Sequence, residues 1–95
     1  MNPMQIKVQA LEENYIRFQV QEDPHTLFNL LRILTLEEDG VVLAGYARDR
    51  TFEDSLIFQI RTEGDVKPQD VLIKASRQLI ENTQQFKKAF EDEYL

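Results

Sequence analysis

Three stretches of the chain alternate apolar and polar residues with a period of two. Ile6, Val8 and Ala10 alternate with Lys7 and Gln9 across Gln5 to Ala10. Ile16, Phe18 and Val20 alternate with Tyr15, Arg17 and Gln19, and Leu56, Phe58 and Ile60 with Ile57, Gln59 and Arg61. This is the pattern of a strand with one face in a core and one in water. The short polar connection Leu11 to Asn14 predicts that the first two strands form a hairpin. Val41 to Ala47, VVLAGYA, is apolar throughout, short for a helix and rich in strand formers, which predicts a third, well-buried strand. Gly45 within it predicts a bulge, a close backbone approach or a strand end. A charged loop, Arg48 to Asp54, then leads to the fourth strand, expected to pair with the third, and Gly64-Asp65 ends it with turn chemistry.

Between the second and third strands the period changes to that of a helix. Asp23 is a preferred N-cap and Pro24 suits the first helical position, so a helix is expected from here to roughly Glu38, stopped by Asp39-Gly40. Leu27, Leu30, Leu31 and Leu34 form one stripe, with Phe28, Ile33 and Leu36 on the flanks and back, while Asn29, Arg32 and Thr35 break the apolar girth. Such a helix is buried on two sides, either as a central core helix or with a partner as the second wall. A chain of 95 residues can hardly surround a helix, which favours the partner.

The last segment opens with Pro68 and runs without a further Pro or Gly to about Asp92. Leu72, Ala75, Leu79, Asn82, Phe86 and Ala89 recur at steps of three and four, the spacing of a helix–helix seam, and Ile73, Ile80 and Phe90 widen it. A helix of that length is about 37 Å long, whereas a compact chain of this size has a radius of gyration of about 12 Å. Its distal half is expected to overhang the domain and to present Phe86 and Phe90 to a partner; the alternative is an end folded back over its own sheet. The order is β-β-α-β-β-α, an α+β two-layer sandwich. One mainly antiparallel four-stranded sheet and two helices, the C-terminal one long, form a single domain over residues 1–95.

Composition narrows the function classes. The net charge of −6 disfavours direct nucleic-acid binding, and no apolar run approaches the roughly 20 residues needed to cross a membrane. The absence of cysteine removes disulfides and thiolate metal sites, and the amino terminus lacks a secretory pattern, so residence inside the cell is the default. His25 is the single histidine, and no partner carboxylates are legible for it, so it is read as structural. Glu12-Glu13, Glu37-Glu38-Asp39 and Glu91-Asp92-Glu93 are adjacent acids of the solvated kind. No phosphate-binding glycine loop, nucleophile elbow or HExxH helix occurs. No catalytic residue, metal ligand or cofactor is expected.

At His25-Thr26-Leu27, followed by Asn29, Leu31 and Arg32, the sequence resembles the HTLxNxLR dimerisation motif of RNA polymerase assembly subunits. That family includes the small L subunit of archaeal polymerase, its eukaryotic nuclear counterparts and the N-terminal domain of the bacterial alpha subunit. Asp23 resembles the acid before the histidine, Val42-Leu43-Ala44-Gly45-Tyr46 resembles the FAGY strand, and Thr62-Glu63-Gly64 with Pro68-Gln69-Asp70-Val71-Leu72 resembles the approach to the final helix. The chain departs from the family at Phe28, where a small residue is common, and at Ala47-Arg48-Asp49-Arg50, in place of a histidine-bearing loop.

The resemblance implies a noncatalytic subunit that heterodimerises with a larger alpha-like subunit, D in archaea. The pair would be the platform for the large catalytic subunits, with small zinc-binding subunits nearby. The implied interface comprises His25, Thr26, Leu27, Asn29, Leu30, Leu31, Arg32, Leu34, Leu72, Ala75, Leu79, Phe86 and Phe90. The setting would be cytoplasmic in an archaeon and nuclear in a eukaryote. The competing expectation is a free homodimeric regulatory domain that binds a small ligand between sheet and helices.

Overall fold

In the computed structural model, which describes residues 6–21, 25–48 and 55–94, the elements follow the expected order. They are β1 (Ile6–Glu12), β2 (Tyr15–Gln21), α1 (His25–Leu36), β3 (Val41–Arg48), β4 (Ser55–Thr62) and α2 (Pro68–Tyr94). The expected cap at Asp23 and Pro24, the loop residues 49–54 and the Phe90 side chain lie outside the described residues. All pairings in the sheet are antiparallel, in the order β1-β2-β4-β3, so β2 and β4 are the inner strands.

The helices cover one face of the sheet. Ile16, Phe18 and Val20 of β2 stand opposite Ile60, Phe58 and Leu56 of β4, and all six are buried beneath Phe28 and Leu31 of α1 and Ala75 of α2. Phe18 and Phe58 stack with centroids 5.5 Å apart, and Phe28 meets Phe58 edge-on at 5.2 Å. The edge-on contact sets an electron-poor ring edge on an electron-rich face.

The edge strands differ from expectation. β3 was expected to be well buried, yet Val42 and Leu43 are exposed and Ala44 is its one buried apolar residue among those described. An edge strand has a neighbour on one side only, and α1 covers only part of it. Gly45 is none of a bulge, a close backbone approach or a strand end: it pairs with Gln59 in the middle of β3, a Cβ there would meet nothing within 4 Å, and the register instead slips between Val41 and Leu43. A second slip, between Val8 and Ala10, puts Ala10 opposite Arg17 and brings Leu11, expected in the connection, into the strand opposite Ile16. A bulge reverses which face each later side chain takes, so Ile6, Val8 and Leu11 share the helical side of the sheet.

α1 ends at Leu36, two residues before the expected stop, and Gly40 then adopts φ +82°, a left-handed conformation that suits a residue without Cβ. Its carbonyl accepts from the Glu63 amide at 2.9 Å. α2 is a single helix of 27 residues whose positions 81–89 are all exposed. The overhang accounts for the long axis of 47 Å and for a radius of gyration of 14.8 Å.

A candidate partner-binding face on the two helices

α1 meets the core along Phe28, Leu31 and Thr35. Of the stripe Leu27, Leu30, Leu31 and Leu34, expected at a partner interface, Leu31 is instead buried in the core, because the sheet takes the ring of Phe28 and the residues on that side of the helix with it. Thr35 is fully buried, its hydroxyl satisfied by donating to the Leu31 carbonyl at 2.7 Å. The core face being thus occupied, Leu27, Leu30, Ile33 and Leu36 are turned outward, 37%, 45%, 42% and 44% exposed. Four large aliphatic side chains on the outer arc of one helix are more than scattered exposure explains.

α2 runs beside them. Val71 and Ala75 are buried, Leu72 and Leu79 half-buried, and Ile73, Ile80 and Phe86 exposed, Phe86 to 73%. Two apolar troughs flank the contact between the helices. One, of about 270 Å³, is lined by Leu30, Ile33, Leu34, Leu79, Asn82, Thr83 and Phe86. The other, of about 240 Å³, lies between α2 and the sheet edge, with Leu27, Leu72, Leu79, Ile80 and Ile6 among its walls. Leu79 belongs to both, so the troughs and the ridge between them form one continuous apolar surface that extends onto the overhang.

Of the residues expected at an interface, Leu27, Leu30, Leu34, Leu72, Leu79 and Phe86 lie on this surface. Leu31 and Ala75 instead belong to the chain's own core, where they support the surface from beneath. Thr26 is exposed, and Asn29 is a polar residue beside the leucines, its side-chain oxygen accepting from Arg32 at 3.0 Å. His25 stands at the head of α1, its ring 5.7 Å from that of Tyr46, and its Nε2 is 3.1 Å from an Arg48 guanidinium nitrogen. A guanidinium can only donate, so Nε2 is the acceptor, and the contact ties the start of α1 to the end of β3. Among the described residues no three His, Asp or Glu side chains converge to hold a metal ion, and no helix is long and apolar enough to cross a membrane.

Sequence reasoning missed Asn14. Its side-chain amide lies 3.1 Å from Thr62 Oγ1, 3.1 Å from the Gly64 carbonyl and 3.2 Å from the Val66 carbonyl, while its own carbonyl accepts from the Thr62 amide at 2.8 Å. The Thr62 hydroxyl donates to the Val66 carbonyl as well. This knot fixes the point where β4 turns into α2, and hence the direction in which the overhang leaves the domain. A polar residue in a hairpin turn gives no sequence sign of a role 48 residues away.

Comparison with known proteins agrees with the geometry. Residues 15–89 match the family model for the RNA polymerase Rpb3/Rpb11 dimerisation domain. The DNA-directed RNA polymerase subunit Rpo11 of Sulfurisphaera tokodaii is 36% identical over 83 residues, covering 87% of this chain and 89% of the relative. That of Metallosphaera sedula is 34% identical over 90 residues, covering 95% and 96%. In fold, the chain is similar to the crystal structure of DNA-directed RNA polymerase subunit L from Thermoplasma acidophilum. The TM-score is 0.83 at 24% identity, over 98% of this chain and 91% of that one.

Proposed function

The chain belongs to the RNA polymerase Rpb3/Rpb11 dimerisation domain family, and from that premise we propose that the exposed apolar surface of α1 and α2 pairs with the larger alpha-like subunit of its polymerase, D in archaea. It is an assembly subunit of a DNA-directed RNA polymerase, not a free ligand-binding domain. The heterodimer would be the platform for the large subunits, which carry nucleotide addition, with small zinc-binding subunits attached nearby. This chain would contribute no catalytic residue and bind no nucleic acid directly. The relatives named above are archaeal, which supports a cytoplasmic setting.

The observation that carries the interface is the outward arc of Leu27, Leu30, Ile33 and Leu36 beside Phe86. Completing the burial of four half-exposed aliphatic side chains contributes on the order of 4 kcal/mol, whereas association costs about 4–15 kcal/mol. The arc alone is therefore insufficient, and α2 must add Leu79, Ile80 and Phe86. We assign Leu27, Leu30, Leu34, Leu79 and Phe86 to the contact, Thr26, Asn29 and Arg32 to its polar rim, and to His25 the positioning of the head of α1.

Co-expression with the alpha-like subunit, read by size-exclusion chromatography with light scattering, tests the reading. A one-to-one heterodimer is expected. A monodisperse homodimer that ignores the alpha-like subunit would overturn it in favour of the free regulatory domain.

A further inference from the structure

Among the described residues, the sheet face turned away from the helices carries charge of the opposite sign to the chain as a whole. In register, the positions on this side form three successive rows: Lys7, Gln19, Ile57 and Ala47; then Ala10, Arg17, Gln59 and Gly45; then Glu12, Tyr15, Arg61 and Leu43. Gln19 is buried within the first row, whereas Lys7, Arg17 and Arg61 are exposed. Lys7, Arg17 and Arg61 thus lie on a diagonal across β1, β2 and β4, opposed in these rows by the single acid Glu12. All three cations are exposed and, among the described residues, none makes an ion pair. The chain nevertheless carries 17 acids against 11 Lys and Arg, and of those acids only Glu12 falls in these rows.

The arrangement is also shaped. Gly45 leaves the second row without a side chain on β3, and a hollow of about 500 Å³ opens there, with Arg17 and Gln59 among its walls. The Arg61 guanidinium lies over the Tyr15 ring, 4.7 Å from its centroid, and the Tyr15 hydroxyl donates to Gln59 Oε1 at 2.9 Å. Stacking holds the guanidinium plane in place, and the tyrosine bond leaves the Gln59 amide nitrogen free to donate to a ligand.

We propose that this face takes an extended acidic segment of a further protein partner, with carboxylates at alternate residues on Arg17 and Arg61 and a third near Lys7. Alternate side chains of an extended chain are roughly 6.6 Å apart, and diagonal neighbours on a sheet about 7–8 Å, so one strand-like segment reaches successive cations. Arginine forks suit carboxylates, and neutral donors such as the Gln59 amide complete the site. Three cations beside Glu12 on a chain of net charge −6 are a poor match for a polyanionic backbone, so protein is favoured over nucleic acid. The site is on the opposite side of the sheet from the helical surface and does not depend on it.

The test is fluorescence anisotropy of the full chain with a fluorescein-labelled twelve-residue peptide of alternating Glu and Thr at low salt. A thymidine oligonucleotide and a Lys-Thr peptide of equal length serve as comparisons. Binding of the Glu-Thr peptide is expected, weakened at least tenfold in Arg17→Glu/Arg61→Glu, largely retained in Arg17→Lys/Arg61→Lys and unaffected by Leu30→Asp, which probes the helical face separately. If the charge-reversed chain melts early, Arg17→Gln/Arg61→Gln takes its place. Equal binding by the wild-type and charge-changed chains, absence of peptide binding, or arginine-dependent binding of the oligonucleotide in preference to the peptide would each overturn the proposal.

Discussion

The ring of Phe28 stands edge-on to that of Tyr46, with centroids 6.0 Å apart, and so joins the head of α1 to the middle of β3. Phe28 occupies the position where the family commonly has a small residue, and a bulky side chain there would obstruct a close helix contact if it pointed outward. It points inward, 2% exposed, against Phe18 and Phe58 as well. Phe28→Ala is therefore expected to cost about 3–5 kcal/mol of stability in urea unfolding, the usual range for emptying an aromatic site in a core. A loss below about 1 kcal/mol would show that the ring is not part of the core.

The inner strands and both helices were legible because their periodicities are imposed by burial on one side. Ile16, Phe18, Val20, Leu56, Phe58 and Ile60 alternate because a single face of β2 and β4 is covered. What the sequence did not disclose was which face of α1 that cover uses: Phe28 and Leu27 are equally apolar, and only the sheet's aromatic cluster selects between them. The position of β3 at an edge was hidden for a related reason, since an apolar run looks the same whether the second side is covered by the chain or by a partner. The slips near Val8 and Val41 have no marker in composition. Of the site, the leucines and Phe86 were legible, while the Asn14 knot depends on contacts far apart in sequence.

Leu30 and Leu31 are adjacent in sequence, about 100° apart around α1, but Leu30 faces outward and Leu31 the core, so their aspartate variants separate folding from pairing. Leu30 is nearly half exposed, so Leu30→Asp is expected to leave the melting temperature of the isolated chain nearly unchanged and to abolish co-purification with the alpha-like subunit. Leu31 is in the core, so Leu31→Asp is expected to destabilise the chain itself by at least about 4 kcal/mol. Circular-dichroism melts beside affinity co-purification check both. Similar melting curves for the two variants would contradict this assignment.

Two glycines have positive φ, but their surroundings differ. At Gly40, φ +82°, a Cβ would collide with Val66 Cγ2, so Gly40→Ala combines backbone strain with a steric clash. At Gly64, φ +61°, a Cβ would meet nothing within 4 Å, so Gly64→Ala carries the strain of roughly 1–2 kcal/mol alone. Gly40→Ala is expected to be the more damaging by at least about 1 kcal/mol in parallel denaturant titrations. Equal losses would mean that Val66 moves aside without cost.

The overhang of α2 makes the sharpest distinction between partner and core. Positions 81–89 are exposed throughout, and the Lys87–Glu91 ion pair, 3.8 Å long and largely in water, adds little. Among the described side chains beyond Gln84 none is buried, so on removal of the chain after Gln84 the melting temperature is expected to shift by no more than a few degrees. Phe86 is lost, however, and with it one wall of the trough that also contains Leu30, Leu34 and Leu79. Burial of one aromatic side chain contributes roughly 1.5–3 kcal/mol, and a tenfold change in affinity corresponds to about 1.4 kcal/mol. Heterodimer formation is accordingly expected to weaken at least about tenfold, as measured by titration with the alpha-like subunit. An end folded back on its own sheet would produce the opposite order of damage, a large fall in melting temperature with affinity preserved, because the lost contacts would then have been internal.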